Sequence, residues 1–196
     1  MIEVRRASVP VLLAHTAALH SLYRESFSVP PWSEPEEKLA AYPTHLRGQL
    51  DRPGATGCLA FDGADLIGAV YGWPAPPVLA RSTEFEAAVA DAVAPEAMPR
   101  MVAPSIVVAE LMVTGTHRRQ GVAGRLLNAY LAGWPAGWLV THRDGGAPAF
   151  YRRAGWREEA AFRSVEEPLL LFTWAASAAG EQPGRVAASD GVDRGP

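Results

Sequence analysis

Glu110-Leu111-Met112-Val113-Thr114-Gly115-Thr116-His117-Arg118-Arg119-Gln120-Gly121-Val122-Ala123-Gly124-Arg125-Leu126-Leu127 is the stretch that decides the fold. An apolar, β-branched run ends in a basic turn rich in small residues, and an amphipathic segment follows. Ala123, Leu126, Leu127, Tyr130 and Leu131 recur at helical intervals and form one apolar stripe. The order is therefore strand, turn, helix. It places unblocked main-chain N–H groups and the positive end of a helix dipole beside two arginines, which suits a phosphorylated ligand. Gly121 and Gly124 are poor helix formers, so their small size must serve something. Close approach of backbone to a diphosphate is one such need. The plainer alternative is an ordinary strand–turn–helix with a solvated Arg pair. Neither the dinucleotide fingerprint nor the P-loop pattern is present.

Working outward, Ser105–Thr114 reads as the strand and Gly121–Ala132 as the helix. Trp138–His142 is a further strand, Ala147–Ala154 a short helix, and Trp156–Arg163 and Pro168–Trp174 the last two strands. Upstream, Ile2–Arg6 alternates like a strand. Val9–Phe27 reads as one helix with Ser8 as N-cap and Pro10 in its first turn. Pro35–Leu50 is a second helical segment interrupted near Pro43. Thr56–Asp62 and Asp65–Trp73, joined by Asp62-Gly63-Ala64, form a hairpin. Pro74–Pro104 carries a helix over Ser82–Val93 between proline-rich flanks, read as an insertion or elaborated connection. From Ala175 onward small and charged residues lack apolar periodicity, and a mobile tail over 175–196 is expected. Strands around a central strand–helix–strand crossover predict an α/β fold, a mixed sheet with helices on both faces.

The turn resembles a known family. Arg118-x-x-Gly121-x-Ala123 matches the (Gln/Arg)-x-x-Gly-x-(Gly/Ala) motif of the GNAT superfamily of N-acetyltransferases. Leu111-Met112-Val113 resembles the end of that family's fourth strand, and Arg125-Leu126-Leu127 its third helix. Downstream, Ala147-Pro148-Ala149-Phe150-Tyr151-Arg152-Arg153-Ala154-Gly155-Trp156 resembles the family's A-x-x-F-Y-x-x-x-G-F segment. The resemblance implies a three-layer GNAT domain over residues 1–174. It implies acetyl-coenzyme A as cosubstrate, with no metal, and transfer of an acetyl group to a primary amine by direct attack on the thioester. Main-chain amides of Arg118, Arg119, Gln120, Gly121, Val122, Ala123, Gly124 and Arg125 would hold the pyrophosphate. Leu111, Met112 and Val113 would flank the pantetheine arm. Asp144 stands where many relatives carry Asn for a coenzyme contact.

The same resemblance points to Tyr151 as the acid that meets the departing thiolate; otherwise it is a packing aromatic between Phe150 and Trp156. Attack requires an amine lone pair, so a proton must first leave the ammonium. Relatives often place an acidic or His base at positions that here are Val107 and Ala109, neither able to move a proton. Glu110 is out of phase with them, and faces the cleft only if the strand carries a bulge. A carboxylate on an apolar strand needs a partner or a role. Water or His142 is the alternative base, although a structural His is the plainer reading there.

For the acceptor, Phe27–Glu37 and Trp73–Pro104 are the expected walls, with Pro31, Trp32, Tyr71 and Trp73 apolar. Glu34, Glu36, Glu37, Glu84 and Glu86 would attract a cation, or merely suit helix starts. A small-molecule amine is expected as partner. The alternatives are a protein or peptide N-terminus, and a non-catalytic sensor of acyl-coenzyme A.

Composition bounds these readings. The 196 residues suffice for one domain with a core, and 48% hydrophobic with 20% charged residues is ordinary for a globular chain. A net charge of −3 with scattered arginines argues against nucleic acid. No segment has the length of a membrane span. Cys58 is the lone cysteine, in an apolar run, so a buried inert thiol in a reducing cytoplasm is expected. Arg5-Arg6 before an apolar segment superficially suggests a signal peptide, but Glu3, His15 and His20 interrupt that pattern. A monomer or homodimer fits equally well.

Overall fold

The computed structural model describes residues 1–164 and 167–176. The tail expected over 175–196 lies, from residue 177, outside the described residues. The strands are β1 (Ile2–Ala7), β2 (Thr56–Asp62), β3 (Asp65–Pro74), β4 (Ile106–Val113), β5 (Ala136–His142), β6 (Arg157–Ser164) and β7 (Glu167–Ala175). They form one sheet in the order β1-β2-β3-β4-β5-β7-β6. Every pairing is antiparallel except β4 with β5, which is parallel. That parallel pair requires a crossover, and the helix α6 (Val122–Leu131) provides it.

One face of the sheet carries α6 and α7 (Ala147–Arg153). Leu126, Leu127 and Tyr130 of α6 pack with Ile106, Val108, Tyr151, Trp156 and Phe172 in one core. The helices α1 (Val9–Ala14), α2 (Thr16–Phe27), α3 (Glu36–Ala40) and α4 (Tyr42–Leu50) cover the other face over β1 to β4. Leu19, Leu22, Tyr42 and Leu46 there meet Leu59, Ala69, Tyr71 and Met112. The 75–105 connection fills the remainder of that second face. Its helix α5 (Glu84–Ala92) sets Val89 against Trp138, Val140 and Leu171. The expected three-layer α/β architecture with a mixed sheet is what the chain adopts.

Several boundaries differ from expectation for local reasons. Val9–Phe27 is two helices, not one. The His15 ring bonds the Val11 carbonyl at 2.9 Å and Thr16 Oγ1 donates to the Leu13 carbonyl at 2.6 Å, so side chains compete with the helix ladder at the break. Pro43 lacks an N–H and crowds the carbonyl four residues back. The 35–50 segment accordingly breaks at Ala41. The helix read over Ser82–Val93 starts later, at Glu84. Thr83 caps it, and Glu86 completes a capping box. No helix among the described residues is long and apolar enough to cross a membrane.

Candidate active site

The site begins with an irregularity in β4. Tyr71 pairs with Glu110, but Gly72 pairs with Val108, so Ala109 is an extra residue on β4. This bulge reverses the side-chain phase of the strand. Ile106 and Val108 face α6, yet Met112, rather than Leu111, packs with the α1–α4 core. Glu110 thus shares a face with Tyr71, its cross-strand neighbour. Two side groups accommodate the bulge. A Cβ at Gly72 would lie 2.0 Å from the Val107 carbonyl oxygen, so only glycine fits. The Tyr130 hydroxyl donates to the same Val107 oxygen at 2.9 Å. Neither role follows from the spacing along the chain; the one signal was a tyrosine on an apolar helix stripe, whose hydroxyl had to find a partner.

Parallel pairing of β4 and β5 is confined to Ile106–Gly137 and Val107–Trp138. Beyond these pairs the strands separate, although each continues for several residues. A cleft of about 1510 Å³ opens there. It runs from the start of α6, past β4 and Tyr151, to the face covered by α5.

At one end lies the basic turn. Arg119 has φ 62° and Gly121 φ 79°, and Gly121 caps α6 without a side-chain bond. Among the described residues, no main-chain N–H from Arg119 to Gly124 donates to a protein acceptor, whereas the next, Arg125, bonds the Gly121 carbonyl at 3.0 Å. A Cβ added at Gly121 or Gly124 would meet nothing within 4 Å. Free donors, a helix N-terminus and room for close approach are the features a diphosphate requires.

The expected coenzyme residues divide by position. Arg118, Arg119, Gly121, Val122, Ala123, Gly124, Leu111, Val113 and Asp144 line the cleft. Arg118 Nε also donates to the Val113 carbonyl at 3.3 Å. Three side chains point elsewhere. Met112 is buried under the first helices, Gln120 Nε2 donates to the Thr116 carbonyl at 2.9 Å, and Arg125 Nη2 reaches the Ile2 carbonyl at 2.8 Å.

Mid-cleft stand Glu110 and Tyr151. Glu110 makes no hydrogen bond or ion pair with a described residue. Burial first, then the nearby charge of Glu34, push its carboxyl up to about 8, with Lys38 opposing. Tyr151 is 7% exposed and packs against Phe150, Trp156 and Phe172. Burial, and then the charge of Glu110, hold its phenol far above the usual range. Glu34 accepts from the Tyr23 hydroxyl at 2.7 Å and pairs with Lys38, the single lysine, at 2.6 Å.

The other titratable candidates are engaged. His142 Nδ1 accepts from the Asp144 N–H at 3.0 Å and Nε2 faces Glu167 Oε2 at 3.1 Å. Its ring is buried in a T-shaped contact with Trp32, and although the residue lines the cleft both nitrogens already have partners. Of the five acids weighed as a cation site or as helix starts, only Glu34 and Glu86 reach the cleft. Glu86 is held by Ser82, Thr83 and Arg52. Glu36 pairs with Arg24 in solvent. Pro31, Trp32 and Trp73 line the cleft, but Tyr71 is fully buried and bonded to Tyr42 at 3.0 Å.

No family model matches the chain, and no curated protein does. Solved structures match over nearly its whole length. An acetyltransferase of the GNAT family from Bacillus cereus superposes with a TM-score of 0.56 at 11% identity, covering 91% of this chain and 99% of that one. The PaiA N-acetyltransferase of Thermoplasma acidophilum, in complex with coenzyme A, gives 0.57 at 14% identity, over 89% and 99%. NAA60 of Arabidopsis thaliana, in complex with a bisubstrate analogue, gives 0.58 at 18% identity, over 89% and 98%. The chain therefore has the fold of the GNAT acetyltransferases.

Proposed function

We propose that the protein is an acetyl-coenzyme A-dependent N-acetyltransferase acting on a small primary amine. The observation that supports this most is the run of free main-chain donors from Arg119 to Gly124, opening on the same cleft as Glu110 and Tyr151. Those amides, with Arg118 and Arg119, would hold the diphosphate of the coenzyme, and Val113 and Leu111 would flank its arm. Bound there, acetyl-coenzyme A supplies the activated acyl carbonyl.

In this reading Glu110, as carboxylate, takes the proton from the acceptor ammonium and frees its lone pair. A carboxyl raised to about 8 is a far better base than an ordinary glutamate. Tyr151 keeps its hydroxyl proton at neutral pH, being shifted upward. A thiol titrates near ~8.5, so complete transfer from Tyr151 to sulfur runs uphill. Its hydroxyl therefore assists chiefly by hydrogen bonding to the sulfur as negative charge builds there.

A small acceptor is favoured over a peptide because residues of the 75–105 connection, among them Pro76, Leu79 and Phe85, line the acceptor end of the cleft. A peptide N-terminus needs an open groove there. The deciding experiment is release of free thiol from acetyl-coenzyme A across an amine and peptide panel, with calorimetry of the coenzyme alone. Binding with amine-dependent thiol release is the expected result. Binding without release for any amine would replace the enzyme with a sensor, and no binding would remove both.

A further inference from the structure

The acceptor end of the cleft has its own chemistry. Trp73, Val107 and Trp138 are cross-strand neighbours on β3, β4 and β5 and form one row on the face beneath α5. Trp138 and Val89 belong to the same apolar cluster. The Arg52 guanidinium lies over the Trp73 ring at 4.4 Å and pairs with Glu86 at 3.2 Å. It thereby ties the end of α4 to the start of α5. The result is an aromatic floor with a closed side wall.

Two buried polar atoms there have no hydrogen-bond partner, Trp138 Nε1, a donor, and Gln49 Oε1, an acceptor. Both residues line the cleft. Buried polar atoms left unpaired cost stability unless something arrives to pair them. The carboxylates nearby do not serve a second cation: Lys38 and Tyr23 occupy Glu34, and Arg52 occupies both Glu86 and the Trp73 face. An additional ammonium would lose its hydration without gaining a counterion. Glu110 and Val107 share a face of β4, and the bulge at Ala109 leaves them opposite Tyr71 and Trp73, two residues apart on β3, on the order of 7 Å at ~3.3 Å per residue. That is the length of an arylethylamine.

Resting on the acetyltransferase reading, we propose that this compartment selects a primary amine carried on an apolar body of aromatic size, with an uncharged hydrogen-bonding group at its far end. The amine nitrogen sits at Glu110, the body lies over Val107 between the tryptophans, and the neutral group meets Trp138 Nε1 or Gln49 Oε1, both covered by protein atoms here, once that side chain turns into the cleft. Polyamines are excluded.

The test uses the full chain with three probes, 2-phenylethylamine, its 4-hydroxy derivative and spermidine. Thiol release from acetyl-coenzyme A is measured, together with quenching of tryptophan fluorescence by each amine without the coenzyme. The 4-hydroxy amine is expected to exceed spermidine at least tenfold in kcat/KM. Trp138→Phe keeps the ring and removes the N–H. It is expected to raise KM for the hydroxylated amine roughly fivefold and to leave the unsubstituted amine within about twofold; Gln49→Leu gives an independent reading of the same contact. Preference for spermidine, or equal loss on both aryl amines in both variants, overturns the proposal. Fluorescence quenching by the aryl amines with no thiol release leaves the compartment assigned and removes the acetyltransferase reading. Neither quenching nor turnover overturns both.

Discussion

The Tyr130 hydroxyl lies 2.9 Å from the carbonyl oxygen of Val107, joining the crossover helix to the bulge that turns Glu110 into the cleft. Tyr130→Phe leaves that carbonyl buried without its partner. The expected cost is about 1–3 kcal/mol of stability, read from denaturant unfolding. Because Glu110 is aimed by the same bulge, kcat should fall while acetyl-coenzyme A affinity, which the proposed function assigns to the other end of α6, stays near wild type. Unchanged stability and unchanged kcat would show that the bulge does not depend on this bond.

Gly72 faces the bulge from β3. An added Cβ would approach the Val107 oxygen to 2.0 Å and the Tyr130 hydroxyl to 2.8 Å. The first obstacle is backbone and cannot rotate away. Gly72→Ala should therefore cost about 2 kcal/mol or more, beyond the loss from Tyr130→Phe. A variant as stable as the parent would mean that β3 and β4 can re-register here.

At Gly124 fold and ligand can be separated. The residue is in the first turn of α6, with open space around an added Cβ. A glutamate there suits the helix dipole by about 0.3–1 kcal/mol, so Gly124→Glu should keep or raise Tm. The same charge opposes a diphosphate at the free amides. Calorimetry is expected to show acetyl-coenzyme A binding weakened at least tenfold. Equal weakening of Tm and affinity would point to misfolding instead.

The basic turn and its helix were readable because their determinants are local: a glycine needing positive φ, an apolar stripe at helical spacing, and the strand before it. The fold followed, since a parallel pair demands the crossover that the helix supplies. Glu110 was only conditionally readable. Strict alternation placed it out of phase, and its position rests on one extra residue, Ala109, whose insertion is visible only in the β3 register. The acid cluster was left open for a related reason. Glu36 and Glu86 could be weighed only as cation-seeking or as helix starts; both stand in first turns, and Arg24 and Arg52, distant in sequence, occupy them. Likewise Gln49 and Trp138 gave no signal, because an unpaired buried atom is defined by neighbours that no spacing rule supplies.

Glu110 also fixes a pH dependence. Its folded carboxyl holds a proton up to about pH 8, while the unfolded chain releases it near the ordinary value of 4.5. Between these values the folded state binds more protons, so this group's stability contribution is full below the lower value and is lost as pH climbs to the upper. Glu110→Gln should flatten that decline in unfolding curves taken from pH 5 to 8. In the proposed turnover the sign reverses, because there the carboxylate would be the working form. Wild-type kcat at saturating amine should rise with pH towards 8, and the variant should lose that limb. A limb that survives in Glu110→Gln would assign the proton acceptor elsewhere.

The charges around Glu110 allow that limb to be moved in both directions. Glu34 raises the Glu110 carboxyl and Lys38 lowers it. Glu34→Gln should therefore shift the acidic limb of kcat to lower pH, and Lys38→Met to higher pH. The two shifts should differ in their response to salt. The Glu34 side chain is 6% exposed and that of Lys38 60%, so mobile ions screen the lysine far more than the carboxylate. At 1 M salt the wild-type profile should move up to that of Lys38→Met, while the Glu34→Gln shift persists. Profiles moving the same way in both variants would show that the limb belongs to the acceptor amine and not to Glu110.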